Sequence, residues 1–210
     1  MQTLVIAGQK GGSGKTTLAV HLAIEAQRQG KKVALIDADP QGSATSWAGA
    51  RKTNDLAVAK ISPTQVQDAL RLAADEGFDL AIVDTPPHAS SRVSQMLERA
   101  DLIVLPVQPS VLDLAALPAA LELVRASGAR AAMILSVAPV GVGETAETRK
   151  ALEQTGWPVL ETVVHIRMAF RRALAHGQAV AEFEPSGKAA SEIRQVWREI
   201  QVLMGKEKTE

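Results

Sequence analysis

The 210-residue sequence has no cysteine. That absence excludes disulfides, thiolate-ligated zinc, iron–sulfur clusters and thiol catalysis together. It also has no excess of charge: 23 Lys and Arg balance 23 Asp and Glu, so any hold on nucleic acid or anionic lipid must come from a local patch. No apolar run approaches the ~20 residues of a membrane span. Residues 3–8 form a strand-length apolar run with no basic leader and no cleavage site, so a soluble, cytoplasmic protein is expected. Internal repeats and low-complexity linkers are missing too.

What is there is ordinary globular material, 46% hydrophobic and 22% charged, in a length suited to one domain. We expect a single domain over residues 1–205 with a frayed tail at 206–210. Short β-branched runs at 3–7, 32–37, 80–84, 102–107, 132–137 and 159–164 read as strands. Helical patterns lie between and after them, at 16–29, 64–76, 91–99, 114–127, 146–155, 168–175 and 186–204. Most strands are apolar on both faces, which predicts a doubly wound, mostly parallel α/β sheet flanked by helices. Gly30, Gly77, Gly128 and Gly156 fall just past helices, where left-handed caps belong.

Residues 9–17 read Gln-Lys-Gly-Gly-Ser-Gly-Lys-Thr-Thr, after a strand and before a helix. Glycines there let successive N–H groups turn inward around phosphate oxygens, and the helix N-terminus adds its dipole. Lys10, Gly11, Gly12, Ser13, Gly14, Lys15, Thr16 and Thr17 are therefore the expected nucleotide contacts. Lys15 would reach the β- and γ-phosphates, and the Thr16 hydroxyl would bind Mg²⁺. Gln9 replaces the glycine of the strict pattern, and Lys10 is a second cation inside the loop. Downstream, Asp37-Ala38-Asp39-Pro40-Gln41-Gly42 aims two carboxylates from a strand end toward the ligand side of such a sheet. Leu80–Asp84 is an apolar strand ending in aspartate, whose carboxylate would hold Mg²⁺ directly or through water.

The loop Lys-Gly-Gly-Ser-Gly-Lys-Thr resembles the deviant Walker A loop of the ParA/MinD ATPases. Asp-Ala-Asp-Pro-Gln-Gly and Asp84-Thr85-Pro86-Pro87 are similar to the switch segments of its ParA branch. Further matches run over 105–114 and 175–193, so the resemblance spans nearly the whole chain. It implies the P-loop fold, ATP with Mg²⁺, and a homodimer in which Lys10 crosses to the partner's nucleotide. It assigns catalysis to Lys10, Lys15 and Asp39, the last positioning the attacking water, and places Asp37 beside the metal with Thr16 and Asp84. His88 falls in the second switch, but the family puts no catalytic histidine there. Relatives often contact adenine with an asparagine after the sixth strand, where this sequence has Ser136–Pro139. Base recognition then falls to backbone groups or to 183–186, with Phe183 and Pro185 as candidates.

With the phosphate loop at residue 9, no operator-reading domain is expected ahead of it. Between 165 and 198 six cations face three carboxylates. Arg167, Arg171, Arg172 and Lys188 are the candidates for non-specific double-stranded DNA binding. Charge alone fits a solvated helix face equally well; the resemblance favours DNA. The apolar stripe of the last helix faces mixed charge rather than lysines, which argues for packing on the sheet over a membrane. The resulting expectation is a ParA-like plasmid partition ATPase, associated with the nucleoid, weak alone and stimulated by a ParB-type adaptor. The alternatives are positioning of a non-DNA cargo and a MinD-like membrane regulator.

Overall fold

The computed structural model describes residues 1–87, 91–141 and 143–205. In chain order it contains β1 (Gln2–Ile6), α1 (Lys15–Arg28), β2 (Val33–Asp37), α2 (Ser43–Gly49), β3 (Ala57–Lys60), a 3-10 turn (Pro63–Gln65), α3 (Val66–Asp75) and β4 (Leu80–Asp84). It continues with α4 (Ser91–Leu97), β5 (Leu102–Val107), α5 (Val111–Ser127), β6 (Ala131–Ala138), α6 (Glu144–Glu153), β7 (Val164–His165), α7 (Met168–Ala175), α8 (Val180–Phe183) and α9 (Lys188–Gly205).

Seven parallel strands pair in the order β3-β2-β4-β1-β5-β6-β7. Alternate residues of the same strands enter two separate cores. Leu4, Ile6, Leu35 and Ile82 pack with residues of α1, α2, α7, α8 and α9. Val5, Ile36, Val83 and Ile103 pack with α3, α4, α5 and α6 on the other face. Covering both faces is what made these strands continuously apolar in sequence. The four glycines expected to cap helices all have positive φ, from 66° at Gly128 to 86° at Gly30.

Three elements were not legible. β3 lies at the sheet edge and is mostly exposed, so its Ala-Val-Ala-Lys sequence carries no core pattern. α2 is seven residues of small side chains around Trp47, whose indole N–H donates to the Gln178 carbonyl. α8 is a four-residue turn held by Glu182, whose carboxylate accepts the Ala179 N–H at 2.7 Å.

The expected strand at 159–164 is corrected. It bridges β6 only at Val159, and regular pairing begins at Val164. Glu199 of α9 intervenes, its carboxylate accepting the N–H groups of Glu161 and Thr162 at 2.7 and 3.1 Å. These donors are thereby taken by a helix side chain. The helix expected from Leu114 starts at Val111 instead, because Ser110 caps it by accepting the Asp113 N–H.

Candidate nucleotide site

The sheet register assembles the site. Ile6 at the end of β1 pairs with Asp84, and Asp84 pairs in turn with Asp37 at the end of β2. Two buried carboxylates thus stand side by side where the glycine loop leaves the central strand and enters α1. Crossovers run to opposite sides of β1, so this is the switch point where doubly wound sheets bind ligands.

The loop closes on α1 through Gly14, which has φ 95°. A Cβ there would lie 2.8 Å from the Ser136 hydroxyl and 3.3 Å from a Val137 methyl, so the junction admits only glycine. Val137 itself has φ 53°, strained for a β-branched residue, at the irregularity between Ser136 and Ala138 in β6. The segment that takes the place of the relatives' asparagine therefore abuts the loop–helix junction.

Gly11, Gly12, Gly14, Lys15, Thr16, Thr17 and Asp39 line one pocket of about 240 Å³, with Gln41, Ser43 and Pro87. The loop residues expected to meet phosphate, except Lys10 and Ser13, are brought together there. Lys15 is buried and donates to the Lys10 carbonyl at 2.9 Å. Burial lowers its pKa, while the charges of Asp84 and then Asp39 pull it back up. Ser13 is buried and its hydroxyl reaches the Lys10 carbonyl at 3.4 Å. Lys10 does not line this pocket; its ammonium lies 2.6 Å from Asp113.

Asp84 is fully buried, and neither carboxylate oxygen has a hydrogen-bond partner among the described residues. Burial pushes its pKa up to about 7; the nearby Thr16 hydroxyl lowers it, Asp37 raises it, and Lys15 and Asp39 oppose each other. An orphaned carboxylate beside a threonine hydroxyl fits a hard divalent cation completed by water and phosphate oxygens. Asp37 differs. Its oxygens already accept the N–H and hydroxyl of Thr45 and the N–H of Asp39. Asp39 borders the pocket, held in a turn by the Gln41 N–H on its Oδ1 at 2.9 Å.

The other expected residues are not gathered here. Phe183 packs against the α1-side core and stacks on His176 with ring centroids 5.7 Å apart, and neither it nor the exposed Pro185 borders the phosphate pocket. Arg171, Arg172 and Lys188 are exposed. Arg167 is instead tied to Glu192: its Nε donates to Oε1 at 3.0 Å, and this bond raises the Arg167 pKa. His88 and the tail at 206–210 lie outside the described residues. Sequence reasoning missed the roles of Thr45, Gln108 and Asp113. The pair Ser110 and Asp113, at capping-box spacing, was the available signal for the last.

A glycine loop at a helix N-terminus with a buried lysine, beside a buried carboxylate without a hydrogen-bond partner, is the chemistry of a phosphate-loop nucleotide-binding protein. Residues 4–180 match the CobQ/CobB/MinD/ParA nucleotide binding domain, and the chain belongs to that family, the ParA/MinD ATPases. Similar proteins include a "Maintenance of carboxysome distribution protein A" from Gloeobacter kilaueensis, 35% identical over 95% of this chain and 92% of the relative. Another of that name, from Halothiobacillus neapolitanus, is 32% identical over 94% and 95%. The chromosome-partitioning ATPase Soj of Thermus thermophilus is 31% identical over 95% of each chain. Among solved structures, MinD of Pyrococcus horikoshii with Mg-ADP superposes with TM-score 0.81 at 17% identity, over 97% of both chains. An ATP complex of Cyanothece McdA gives 0.76 at 19% identity, over 100% of this chain and 98% of that one.

Proposed function

We propose that this ATPase pairs two copies around ATP, uses DNA as a non-specific track to distribute a cargo, and lets go on hydrolysis when an adaptor protein stimulates it. The observation that carries the reading is the division of labour between two lysines of one loop. Lys15 is buried in the phosphate pocket, whereas Lys10 does not line it and has a side chain 39% exposed. Val111 and Leu112, 81% and 70% exposed, immediately precede the aspartate that holds Lys10. An exposed charge bordered by bare apolar side chains makes a surface suited to a second copy.

Catalysis in this reading is positioning plus electrostatics. The N–H groups of 11–14 and the Lys15 ammonium hold the β- and γ-phosphates. Asp39 orients water, and the Thr45-anchored Asp37 fixes the loop carrying Asp39. Thr16 and Asp84 would hold Mg²⁺, which when bound neutralises charge on the transferring phosphoryl group. Exposed Arg171, Arg172 and Lys188 supply the phosphate contacts to DNA. No helix among the described residues is long and apolar enough to cross a membrane.

For the cargo, the two relatives named for carboxysome distribution match over 92–95% of their own length and favour a non-DNA cargo. Segregation of plasmid or chromosomal DNA with a ParB-type adaptor is the second reading, favoured by the Soj match. Fluorescence anisotropy with labelled duplex tests the shared core. Salt-sensitive binding should appear with ATP and be lost with ADP. Equal binding in both states, or none, would overturn the DNA track.

A further inference from the structure

We infer that Lys60 is a positioning residue for hydrolysis, holding the Asp39 carboxylate through the peptide group between Pro40 and Gln41. The inference rests on the reading above, in which Asp39 orients the attacking water. Lys60 ends β3 at the exposed edge of the sheet and pairs in register with Asp37. A lysine on such an edge is ordinarily solvated and serves to discourage further strand pairing. This one folds back over the chain instead, and its ammonium donates to the Pro40 carbonyl at 3.0 Å. Its stem crosses Gly42, which is buried although Gln41 and Ser43 on either side are exposed. A Cβ on Gly42 would lie 2.7 Å from Lys60 Nζ and 3.2 Å from Cε, so the lysine lies where only a glycine leaves room.

Residues 39–42 form a four-residue turn, closed by the Gly42 N–H on the Asp39 carbonyl at 2.9 Å. Among the described residues other than glycine only Val137 has a positive φ, so Gln41 is not in the type II form of this turn. The Gln41 N–H donates to Asp39 Oδ1 at 2.9 Å. That N–H and the Pro40 carbonyl are opposite ends of one planar peptide group. Lys60 holds one end and Asp39 the other. Type I and type II turns differ by a flip of this central peptide, which would carry the N–H away from Asp39. A cation on the carbonyl opposes the flip, and it polarises the peptide so that the N–H donates more strongly. Asp37 pins the backbone on both sides of the turn, at the N–H groups of Asp39 and Thr45, but neither bond reaches the Asp39 carboxylate.

Lys60→Met tests this, because it keeps the stem over Gly42 and removes the ammonium. Phosphate release at varied ATP, on the full chain, separates kcat from KM. The kcat should fall about three- to tenfold, as for a water-orienting group loosened rather than lost, while KM stays within about twofold. Lys60→Arg, which can still donate to the Pro40 carbonyl, should restore roughly half of kcat or more. Lys52→Met, removing an exposed lysine ahead of β3, should leave kcat unchanged. In an Asp39→Ala background Lys60→Met should cost nothing further, since the two residues act as one unit.

Unchanged kcat in Lys60→Met would overturn the inference, as would an arginine variant no better than the methionine. A raised KM with kcat intact would overturn it too, being the mark of a phosphate contact. An equal loss in the Asp39→Ala background would show that Lys60 acts by another route and overturn it as well. Unchanged turnover in Asp39→Ala, or no ATP turnover in the wild-type chain, would instead overturn the function proposed above, and the positioning role with it.

Discussion

The carboxylate of Asp37 accepts both the backbone N–H and the hydroxyl of Thr45, each at 2.8 Å. This one residue, wholly buried at the end of β2, reaches eight positions ahead to fasten the first turn of α2. It also receives the Asp39 N–H at 3.3 Å, so the loop between is pinned at both ends. Asp37 is therefore a structural anchor beside Asp84, its pairing partner on β4. Asp37→Ala should cost about 2–4 kcal/mol, because three hydrogen bonds to a charged group disappear together. Urea unfolding measures it, and a cost below about 1 kcal/mol would contradict the anchoring role.

Lys15→Ala should abolish detectable ATP binding. Lys15 is the buried cation of the phosphate pocket, facing Asp84 and Asp39, and its removal leaves the phosphate charge opposed by nearby carboxylates. Isothermal titration reads the affinity directly. Near-native affinity would mean that the glycine loop is not the phosphate site.

The sequence displayed the phosphate loop and both carboxylate strands because each is a contiguous string whose chemistry depends on local spacing. Lys15, Thr16, Asp39 and Asp84 stand out as candidates for that reason. What it concealed were relationships across the fold. Lys10 meets Asp113 at a separation of 103 residues, and Gln108 meets Gly12 at 96, which no local pattern reports. Nor does charge counting reveal pairing. Arg167 and Arg171 look equivalent in the string, yet Glu192 takes the first and leaves the second exposed. The strand expected at 159–164 failed similarly, through a carboxylate 37–38 positions away that took its N–H groups.

Asp39→Ala should separate binding from turnover. The pocket keeps Lys15, Thr16 and the glycine N–H groups, so ATP affinity should hold within about threefold, since Asp39 contributes no donor to the phosphates. Water positioning is lost, and hydrolysis should drop about 10²-fold or more. Phosphate release alongside ATP binding checks both halves. Unchanged turnover would remove Asp39 from the mechanism.

Acid sensitivity should be traceable to His21 of α1. It is fully buried, and its Nδ1 accepts the Val180 N–H at 3.2 Å, so protonation there would break a bond and bury a charge. Burial lowers its pKa to about 3, below the 6.5 of an unhindered imidazole. The unfolded chain then binds the extra proton first as pH falls. Stability from this group is complete above about pH 6.5 and is lost progressively toward pH 3, by about 2 kcal/mol between pH 7.5 and pH 5. His21→Gln, whose amide oxygen can take the Val180 N–H, should flatten the decline over that interval. Denaturant midpoints at the two pH values decide it; parallel declines would mean that another group carries the linkage.

The proposed DNA face offers the sharpest contrast between neighbours. Arg171 and Arg172 project from α7 and Lys188 opens α9, all exposed, while Arg167 is bound to Glu192 just before α7 begins. Changing Arg171, Arg172 and Lys188 to alanine should weaken duplex binding regardless of sequence. The slope of log K against log salt should flatten by about 0.9 for each phosphate that is no longer neutralised. Arg167→Ala should do something different. Glu192 is 9% exposed and would be left with His165 as its partner, so stability should fall by about 1–3 kcal/mol while the salt slope stays close to wild type. Salt titrations of the four single variants, paired with unfolding curves, distinguish the roles. If Arg167→Ala flattened the slope as much as Arg171→Ala, the ion pair with Glu192 would have to open on DNA, and the patch would extend back to Arg167.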